Sequence, residues 1–190
     1  MSIRVALLLA PIVLASCTTQ TRLASREIFD EQSASTLTVV GKPLVFARER
    51  SDVAAHARDY VTLVAVEEDR SGNYNQYLLL YRWSTVDRRM SQPPAPEAGA
   101  MRMLVDGRPI DLLPLASMPI GVTQRRTFHV PAHSDAVPRA YRVDTATLHF
   151  IATSRDLTLR MPQEALDMPF TLWEDGRAAL NQFLQRTVGP

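Results

Sequence analysis

The sequence predicts an α+β fold, in which a mainly antiparallel β-sheet of roughly six to nine strands carries short helices on one face or end. The main observation is a pair of β-branched and aromatic runs, residues 60–66 and 75–85, separated by a polar turn around Gly72. A second is the alternation of apolar and polar residues over 156–161, typical of a half-buried strand. A third is a C-terminal helix over 176–187, whose apolar residues recur at helical spacing.

The returning strand of the hairpin is apolar on both faces, because successive side chains of a strand point to opposite sides. One face carries Tyr77, Leu79, Tyr81 and Trp83, and the other carries Leu78, Leu80 and Arg82. A strand that is buried on both faces lies inside a sheet. We therefore expect a central strand here.

Shorter elements precede this hairpin. Residues 36–40 and 44–48 are predicted strands, broken by a segment that contains glycine and proline. Residues 51–58 are predicted to form a short helix with Ser51 as its N-cap.

The middle of the chain contains a proline-rich segment. Three of the ten residues in the range 91–100 are proline, which has no backbone N–H, and this excludes regular structure there. The segment is either a long loop or a possible boundary between two small lobes. A strand is also predicted at residues 127–130.

A second hairpin is predicted directly after this segment. Residues 101–105 and 109–113 flank Asp106 and Gly107, the dipeptide that favours tight hairpin turns. Pro109 lacks an N–H for the ladder, so this hairpin is expected at a sheet edge.

The C-terminal region is predicted to run helix, strand, strand, helix. Asp144 is the predicted N-cap of a helix that ends at Ala152, and Asp175 is that of the final helix. Strands are predicted at residues 156–161 and 168–173. The buried stripe of the final helix is expected to consist of Leu180, Phe183 and Leu184.

Composition limits the function classes. Hydrophobic residues make up 46% of the 190 residues, as in ordinary globular proteins. The chain carries 21 basic and 20 acidic residues and is close to neutral. Nucleic-acid binders show a basic excess or stripe, so this balance argues against a nucleic-acid partner.

Residues 1–16 have the layout of a secretory signal peptide. Arg4 is the only charged residue, an apolar run covers residues 5–14, and small residues precede Cys17. The run is about half of the roughly 20 apolar residues that a membrane-spanning helix needs. We therefore expect export and removal of this segment.

The tetrapeptide Leu-Ala-Ser-Cys that ends at Cys17 resembles the lipobox of bacterial lipoproteins. The resemblance implies that Cys17 is lipidated, becomes the first residue of the mature chain and holds it to the membrane. Cys17 is the only cysteine, so an intramolecular disulfide is impossible. Thr18 follows instead of aspartate, which in the enterobacterial sorting pattern implies the outer membrane. We expect the domain to face the periplasm.

The predicted organisation is therefore a signal peptide over 1–16, a lipidated cysteine and tether over 17–35, and a single α+β domain over 36–190. The C-terminal region resembles small proteobacterial lipoproteins, as do residues 58–60 and 83–85. Those lipoproteins have no assigned activity, so this resemblance implies no functional residues.

No catalytic, cofactor-binding or metal site is predicted. The four histidines are His56, His129, His133 and His149. The closest two are four residues apart, which on a helix would place both on one face, but Pro131 between them interrupts a helix. Ser134 and Asp135 follow His133 in sequence, which does not establish a catalytic triad. The sequence contains no Gly-x-Ser-x-Gly elbow and no glycine-rich phosphate loop.

Two further clusters have a structural and a functional interpretation. The carboxylates Glu67, Glu68 and Asp69 could attract Ca²⁺, but a solvated turn is favoured because the spacing of a calcium loop is missing. The aromatic stripe of residues 77, 81 and 83 could stack on a glycan or peptide, although alternating aromatics on a strand more often belong to the core. Trp173 is also expected in the core.

These observations favour a membrane-anchored, non-enzymatic lipoprotein of the cell envelope, acting as an accessory or interaction module that binds another envelope component. Two alternatives stay open. A binder of an apolar small molecule or lipid would need a large cavity between sheet and helices. A hydrolase with an unrecognised site would need clustered polar residues with perturbed pKa values in a cleft.

Overall fold

The computed structural model describes residues 24–86, 99–123, 138–161 and 168–187. Within these ranges the strands are β1 (Arg26–Asp30), β2 (Ser35–Val39), β3 (Leu44–Glu49), β4 (Arg58–Arg70), β5 (Asn73–Ser84), β6 (Met101–Val105), β7 (Arg108–Leu112), β8 (Arg139–Val143), β9 (Leu157–Arg160) and β10 (Phe170–Glu174). The helices are α1 (Ile120–Thr123), α2 (Thr145–Thr153) and α3 (Arg177–Thr187).

The predicted fold class is confirmed. Every pairing between the described strands is antiparallel, and all ten strands belong to one sheet that curls into a half-barrel. The described helices are short, and α3 lies at the C-terminal end of the described chain. The fold is therefore α+β with a dominant antiparallel sheet.

The hairpin of β4 and β5 forms the centre of the sheet. The two strands pair continuously from Asp59 opposite Ser84 to Arg70 opposite Asn73. Ser71 and Gly72 make the turn with φ angles of 55° and 82°, in the left-handed region that glycine adopts without strain. As predicted, β5 is an interior strand, because it also pairs with β8.

The other edge of β4 is shared by two strands. β3 pairs with residues 58–63 of β4, and β2 pairs with residues 66–69. Beyond β3 the sheet continues through β10, β9, β6 and β7, while β1 pairs with β2. Strands from both sides of residues 91–100 therefore lie in the same sheet.

The hairpin of β6 and β7 agrees with its prediction. Asp106 and Gly107 have φ angles of 49° and 77°, as a two-residue turn with two left-handed residues requires. Asp106 also accepts hydrogen bonds from the N–H groups of Arg155 and Asp156, both at 2.8 Å, which lower its pKa. Among the described strands β7 pairs only with β6, so Pro109 has the edge position that it needs.

The curl of the sheet brings the end of β7 back toward β8. Pro114 forms an isolated bridge with Tyr141, and the N–H of Leu115 donates to the carbonyl oxygen of Ala140 at 2.8 Å. An open cleft lies between the two strands, from Ile110 on one side to Val143 on the other. We call it the β7–β8 cleft.

Both longer helices form as predicted. The Asp144 carboxylate caps α2 by accepting from the Thr147 N–H at 2.7 Å, and the Asp175 carboxylate accepts from the Arg177 N–H at 2.9 Å. A Cβ at Gly176 would lie 2.3 Å from the Pro43 carbonyl oxygen, so only glycine allows this close approach. The buried residues of the two helices are Leu148, Ile151, Ala152, Ala179, Leu180, Phe183 and Leu184.

The helix predicted at residues 51–58 does not form, and this prediction is wrong. Glu49 and Arg58 are paired across β3 and β4, so the intervening chain must return to its starting point. A helix of eight residues would separate its ends by about 12 Å, whereas paired strand residues are about 5 Å apart. The segment consists of turns instead, and His56 has a φ of 65°.

The sheet begins earlier than the predicted domain boundary at residue 36. β1 occupies residues 26–30 and pairs with β2 along its whole length, which places Phe29 opposite Thr36. The predicted tether over 17–35 is thus shortened at its C-terminal end. The strand predicted at 127–130 lies outside the described residues, as does most of the segment 91–100.

Candidate functional site

Several residues singled out from the sequence lie outside the described ranges. These residues are Cys17, His129, His133, Ser134 and Asp135. His56 lies in the loop between β3 and β4, and His149 lies on α2, both with exposed side chains. Within the described ranges, no three or more His, Cys, Asp or Glu side chains are grouped so that they could hold a metal ion.

The solvated-turn interpretation is wrong for two of the three neighbouring carboxylates, Glu67 and Glu68, whereas Asp69 accepts from the Gly72 N–H of the turn at 2.8 Å. Strand β4 runs on to Arg70, and both Glu67 and Glu68 are buried within it. Consecutive strand residues point to opposite faces, so these two carboxylates face different surroundings. Glu67 lines the β7–β8 cleft, whereas Glu68 lies near Gly121 on the other side of the sheet.

Glu67 is the carboxylate of the cleft whose pKa is raised, whereas those of Asp111 and Asp144 are lowered by their hydrogen bonds. Its carboxylate accepts from the Gln76 side-chain amide at 2.9 Å, and Gln76 in turn accepts from the Thr145 hydroxyl at 3.0 Å. Burial raises the pKa of Glu67, which outweighs the opposite effect of the Gln76 hydrogen bond. The folded protein therefore holds this proton more tightly than the unfolded chain does.

The Glu67→Gln variant is expected to become more stable relative to the wild-type protein as the pH rises. A raised pKa contributes stability below the ordinary glutamate value of about 4.3, and this contribution is lost as the pH rises through the folded-state value. Glutamine retains the size of the side chain and carries no proton to lose. Urea unfolding of both proteins between about pH 4 and pH 7 measures the difference. A difference that stays constant over this range would contradict the prediction.

The aromatic stripe predicted on β5 is mostly core. Tyr77 and Tyr81 are buried, and burial raises the pKa of Tyr81 to about 12. Only Trp83, near the end of the strand, is half-exposed. The stripe as a whole therefore offers no stacking platform, but its last member belongs to a different aromatic group at the surface.

Tyr60, Trp83 and Trp173 form this group, which we call the aromatic cluster. The rings of Tyr60 and Trp83 are stacked, with centroids 4.0 Å apart and an angle of 8° between their planes. Trp173 meets Tyr60 edge to face at 6.3 Å and 78°. The indole N–H of Trp83 donates to the Thr62 hydroxyl at 3.2 Å, which fixes the ring.

Three strands bring the cluster together. Tyr60 and Trp83 are opposite each other on β4 and β5, and Tyr60 is also opposite Ala47 on β3. Trp173 comes from β10, the other neighbour of β3. Val45 and Ala47 are buried against Tyr60 and form the base of the cluster.

The cluster is open to solvent at Trp173, whose side chain is 53% exposed. The expectation that Trp173 belongs to the core is wrong. Phe170 is buried and Leu172 half-buried, so the alternation of β10 points Trp173 to the opposite face. That alternation was visible in the sequence, but the choice between the two faces was not.

A cation lies over the exposed ring. The Arg58 guanidinium is 4.7 Å from the centroid of Trp173, and it also donates to the Glu49 carboxylate at 3.2 Å. Arg58 is half-buried, and Glu49 is exposed. The site is thus a partly exposed aromatic surface with a charged margin, which suits contact with another molecule.

The space beneath α3 is nearly filled. Between α3 and the central strands, the gap lined by Leu44, Leu63, Leu78 and Leu180 measures about 10 Å³, close to the smallest volume that admits one water molecule. No described helix is long and apolar enough to cross a membrane.

A comparison of the chain with protein-family models, curated proteins and solved structures returns no match.

Proposed function

We propose that this chain is a membrane-anchored lipoprotein of the bacterial cell envelope, and that it acts as a non-enzymatic interaction module. In this proposal the acylated Cys17 attaches the protein to the outer membrane, with the domain facing the periplasm. The aromatic cluster binds another envelope protein. The sequence up to Cys17 supports the anchor, and the exposed cluster supports the interaction.

The single observation that carries the interaction is the composition and exposure of the cluster. Tryptophan, tyrosine and arginine are the residue types that dominate binding energy at protein interfaces. Trp173 is half-exposed, stands edge to face with Tyr60 and lies under the Arg58 guanidinium. Because the rings are already held by stacking and by the strands, a partner binds them without ordering them first.

The margin of the cluster is polar, as interface margins are. Glu49 and Arg58 form an ion pair there, and Glu174 follows Trp173 at the end of β10 with an exposed side chain. Charges at a margin affect partner choice and association rate more than affinity. Anchoring raises the effective concentration at the membrane, so a modest affinity is sufficient.

The alternative of an apolar small molecule or lipid has less support. It requires a large apolar cavity between sheet and helices, and the gap beneath α3 is about 10 Å³. The hydrolase alternative draws on the raised pKa of Glu67 at the β7–β8 cleft, since a protonated carboxyl can act as a general acid. Hydrolysis also needs a second group that acts as nucleophile or activates water. Asp111 and Asp144 also line the cleft, but Asp111 is paired with Arg102 and Asp144 caps α2.

Cys17 is expected to be the acylated N-terminal residue of the mature protein. The reason is the Leu-Ala-Ser-Cys box after a short apolar run. Intact-mass and peptide mass spectrometry of protein extracted with detergent measures the modification. Recovery of an unmodified Cys17 in protein released by high salt alone would contradict the anchor.

The Trp173→Ala variant is expected to lose its envelope partner. Removal of a central tryptophan at an interface costs about 2 kcal/mol or more, which is about thirtyfold in affinity. A photo-crosslinking amino acid at Glu49, beside the cluster, captures the bound protein in intact cells for identification by mass spectrometry.

The matched control is Tyr74→Ala, which removes an exposed aromatic side chain far along β5 from the cluster. The same partner should be captured from this variant at the wild-type level. Equal capture by the wild-type protein and by Trp173→Ala would exclude the cluster as the interface. Melting temperatures of both variants establish that the fold is intact.

A further inference from the structure

The β7–β8 cleft is a second surface feature, formed by residues that do not belong to the aromatic cluster. It is open to solvent, with a volume of about 830 Å³, within the range of about 300–1,000 Å³ that is usual for ligand sites. One wall is formed by residues 110–112 of β7. The other comes from the end of β8 and the first turn of α2.

Hydrogen bonds fix the polar side chains of the cleft. The Gln76 amide nitrogen donates to the Glu67 carboxylate at 2.9 Å, and its amide oxygen accepts from the Thr145 hydroxyl at 3.0 Å. The Arg142 guanidinium donates to the Asn75 side chain. The Asp144 carboxylate is held by the N–H of Thr147. These groups are planar amides, carboxylates and a guanidinium in fixed orientations, and such groups recognise paired hydroxyls through two hydrogen bonds at once.

The charge of the lining argues against an anionic ligand. Three carboxylates line the cleft, Glu67, Asp111 and Asp144, against the guanidinium of Arg142 and that of Arg102, which is paired with Asp111 at 2.6 and 2.9 Å, so the lining has no excess of positive charge. Phosphate-rich ligands such as nucleic acids and nucleotides need the opposite balance. The ligand is therefore uncharged or weakly cationic.

An aromatic ring stands at the rim. Tyr74, at the beginning of β5, is 62% exposed and lines the cleft beside Asn75. Its ring offers a flat apolar face directly next to hydrogen-bonding groups. A sugar ring has the matching chemistry, because its C–H face packs on an aromatic ring while its hydroxyls and ring substituents reach the polar groups.

We propose that the β7–β8 cleft binds a neutral oligosaccharide, with a sugar ring stacked on Tyr74 and its hydroxyls bound by Gln76, which lies on the same face of β5, and by Thr145, which is hydrogen-bonded to Gln76. Ile110 and Leu112 contribute the apolar part of the wall. The cleft shares no residue with the aromatic cluster, so its ligand and the proposed protein partner bind independently.

The test uses the full-length protein in micelles of an amine-oxide detergent, which contains no sugar. The probes are the β-1,4-linked tetrasaccharides of N-acetylglucosamine and of glucose, titrated by calorimetry. We expect saturable binding of one of them with one site per chain. Tyr74→Ala should weaken it at least about tenfold, because the stacking surface is removed from an exposed position. Trp173→Ala should bind the sugar as the wild-type protein does.

Three outcomes would overturn the proposal. The first is the absence of heat with both sugars at concentrations up to about 10 mM, beyond the weakest binding that has biological use. The second is equal weakening by Tyr74→Ala and Trp173→Ala. The third is saturable binding of a blocked peptide of alternating alanine and serine in place of either sugar. Loss of partner capture in Trp173→Ala alone concerns only the proposed protein interaction.

Discussion

The Phe183→Ala variant is expected to lose about 3–5 kcal/mol of its free energy of unfolding, the usual cost of deleting a core phenylalanine. Phe183 is fully buried on the inner face of α3, together with Leu180 and Leu184. The loss is a large part of the total stability of a domain, about 5–15 kcal/mol. Urea unfolding followed by circular dichroism measures it.

Phe29→Ala is the matched control, since it removes the same side chain from a position that is 59% exposed. We expect it to cost less than about 1 kcal/mol. A loss of less than about 1 kcal/mol for Phe183→Ala as well would mean that α3 contributes little to the core. In that case the described packing of α3 against the sheet would be wrong.

The Asp59→Ala variant is expected to lose a comparable amount, about 3–5 kcal/mol, because it breaks a buried ion pair. The Asp59 carboxylate is fully buried and accepts from Arg48 at 3.0 and 3.1 Å, and from Arg50 at 3.0 Å. Arg48 is itself buried and stacks 4.4 Å from the ring centroid of Phe170. Without the carboxylate, a buried guanidinium loses its counter-charge.

Asp52→Ala is the control for this prediction. Asp52 contacts the same Arg50 at 2.9 Å, but its side chain is 54% exposed. An exposed ion pair contributes about 0–1 kcal/mol, so the loss should be small. Thermal unfolding of both variants compares them directly, and a larger loss for Asp52→Ala would contradict the assignment of the buried pair.

Local patterns in the sequence predicted those elements whose partners are close in the chain. The β4–β5 hairpin follows from its β-branched runs, the β6–β7 hairpin from Asp106 and Gly107, and α2 and α3 from their caps. Longer-range order could not be predicted, because no local signal specifies that β3 pairs with β10 or β6 with β9. The turns at 51–58 show the same limit, since strand pairing overrides local helix preference there.

The candidate sites were harder to predict than the elements. The aromatic cluster combines residues separated by more than one hundred positions, and each alone has the pattern of a core strand residue. Glu67 and Glu68 were expected in a turn because charged residues are seldom buried. They are buried because β4 extends through both residues to Arg70, and the sequence contains no clear signal for the residue at which this strand ends. A site formed by strands that are distant in the sequence can be predicted only after the order of the strands in the sheet is known.

The position of β3 has a consequence for the order in which the chain folds. β3 lies between β4, which follows it directly, and β10, whose Thr171 hydroxyl bonds to Ala47 across 124 positions. A chain that is synthesised N-terminus first can therefore form the central hairpin early, while one edge of β3 stays unpaired until the last strand is made. Until residues 170–187 arrive, that edge is open to pairing with other chains. We expect aggregation of any product truncated before β10.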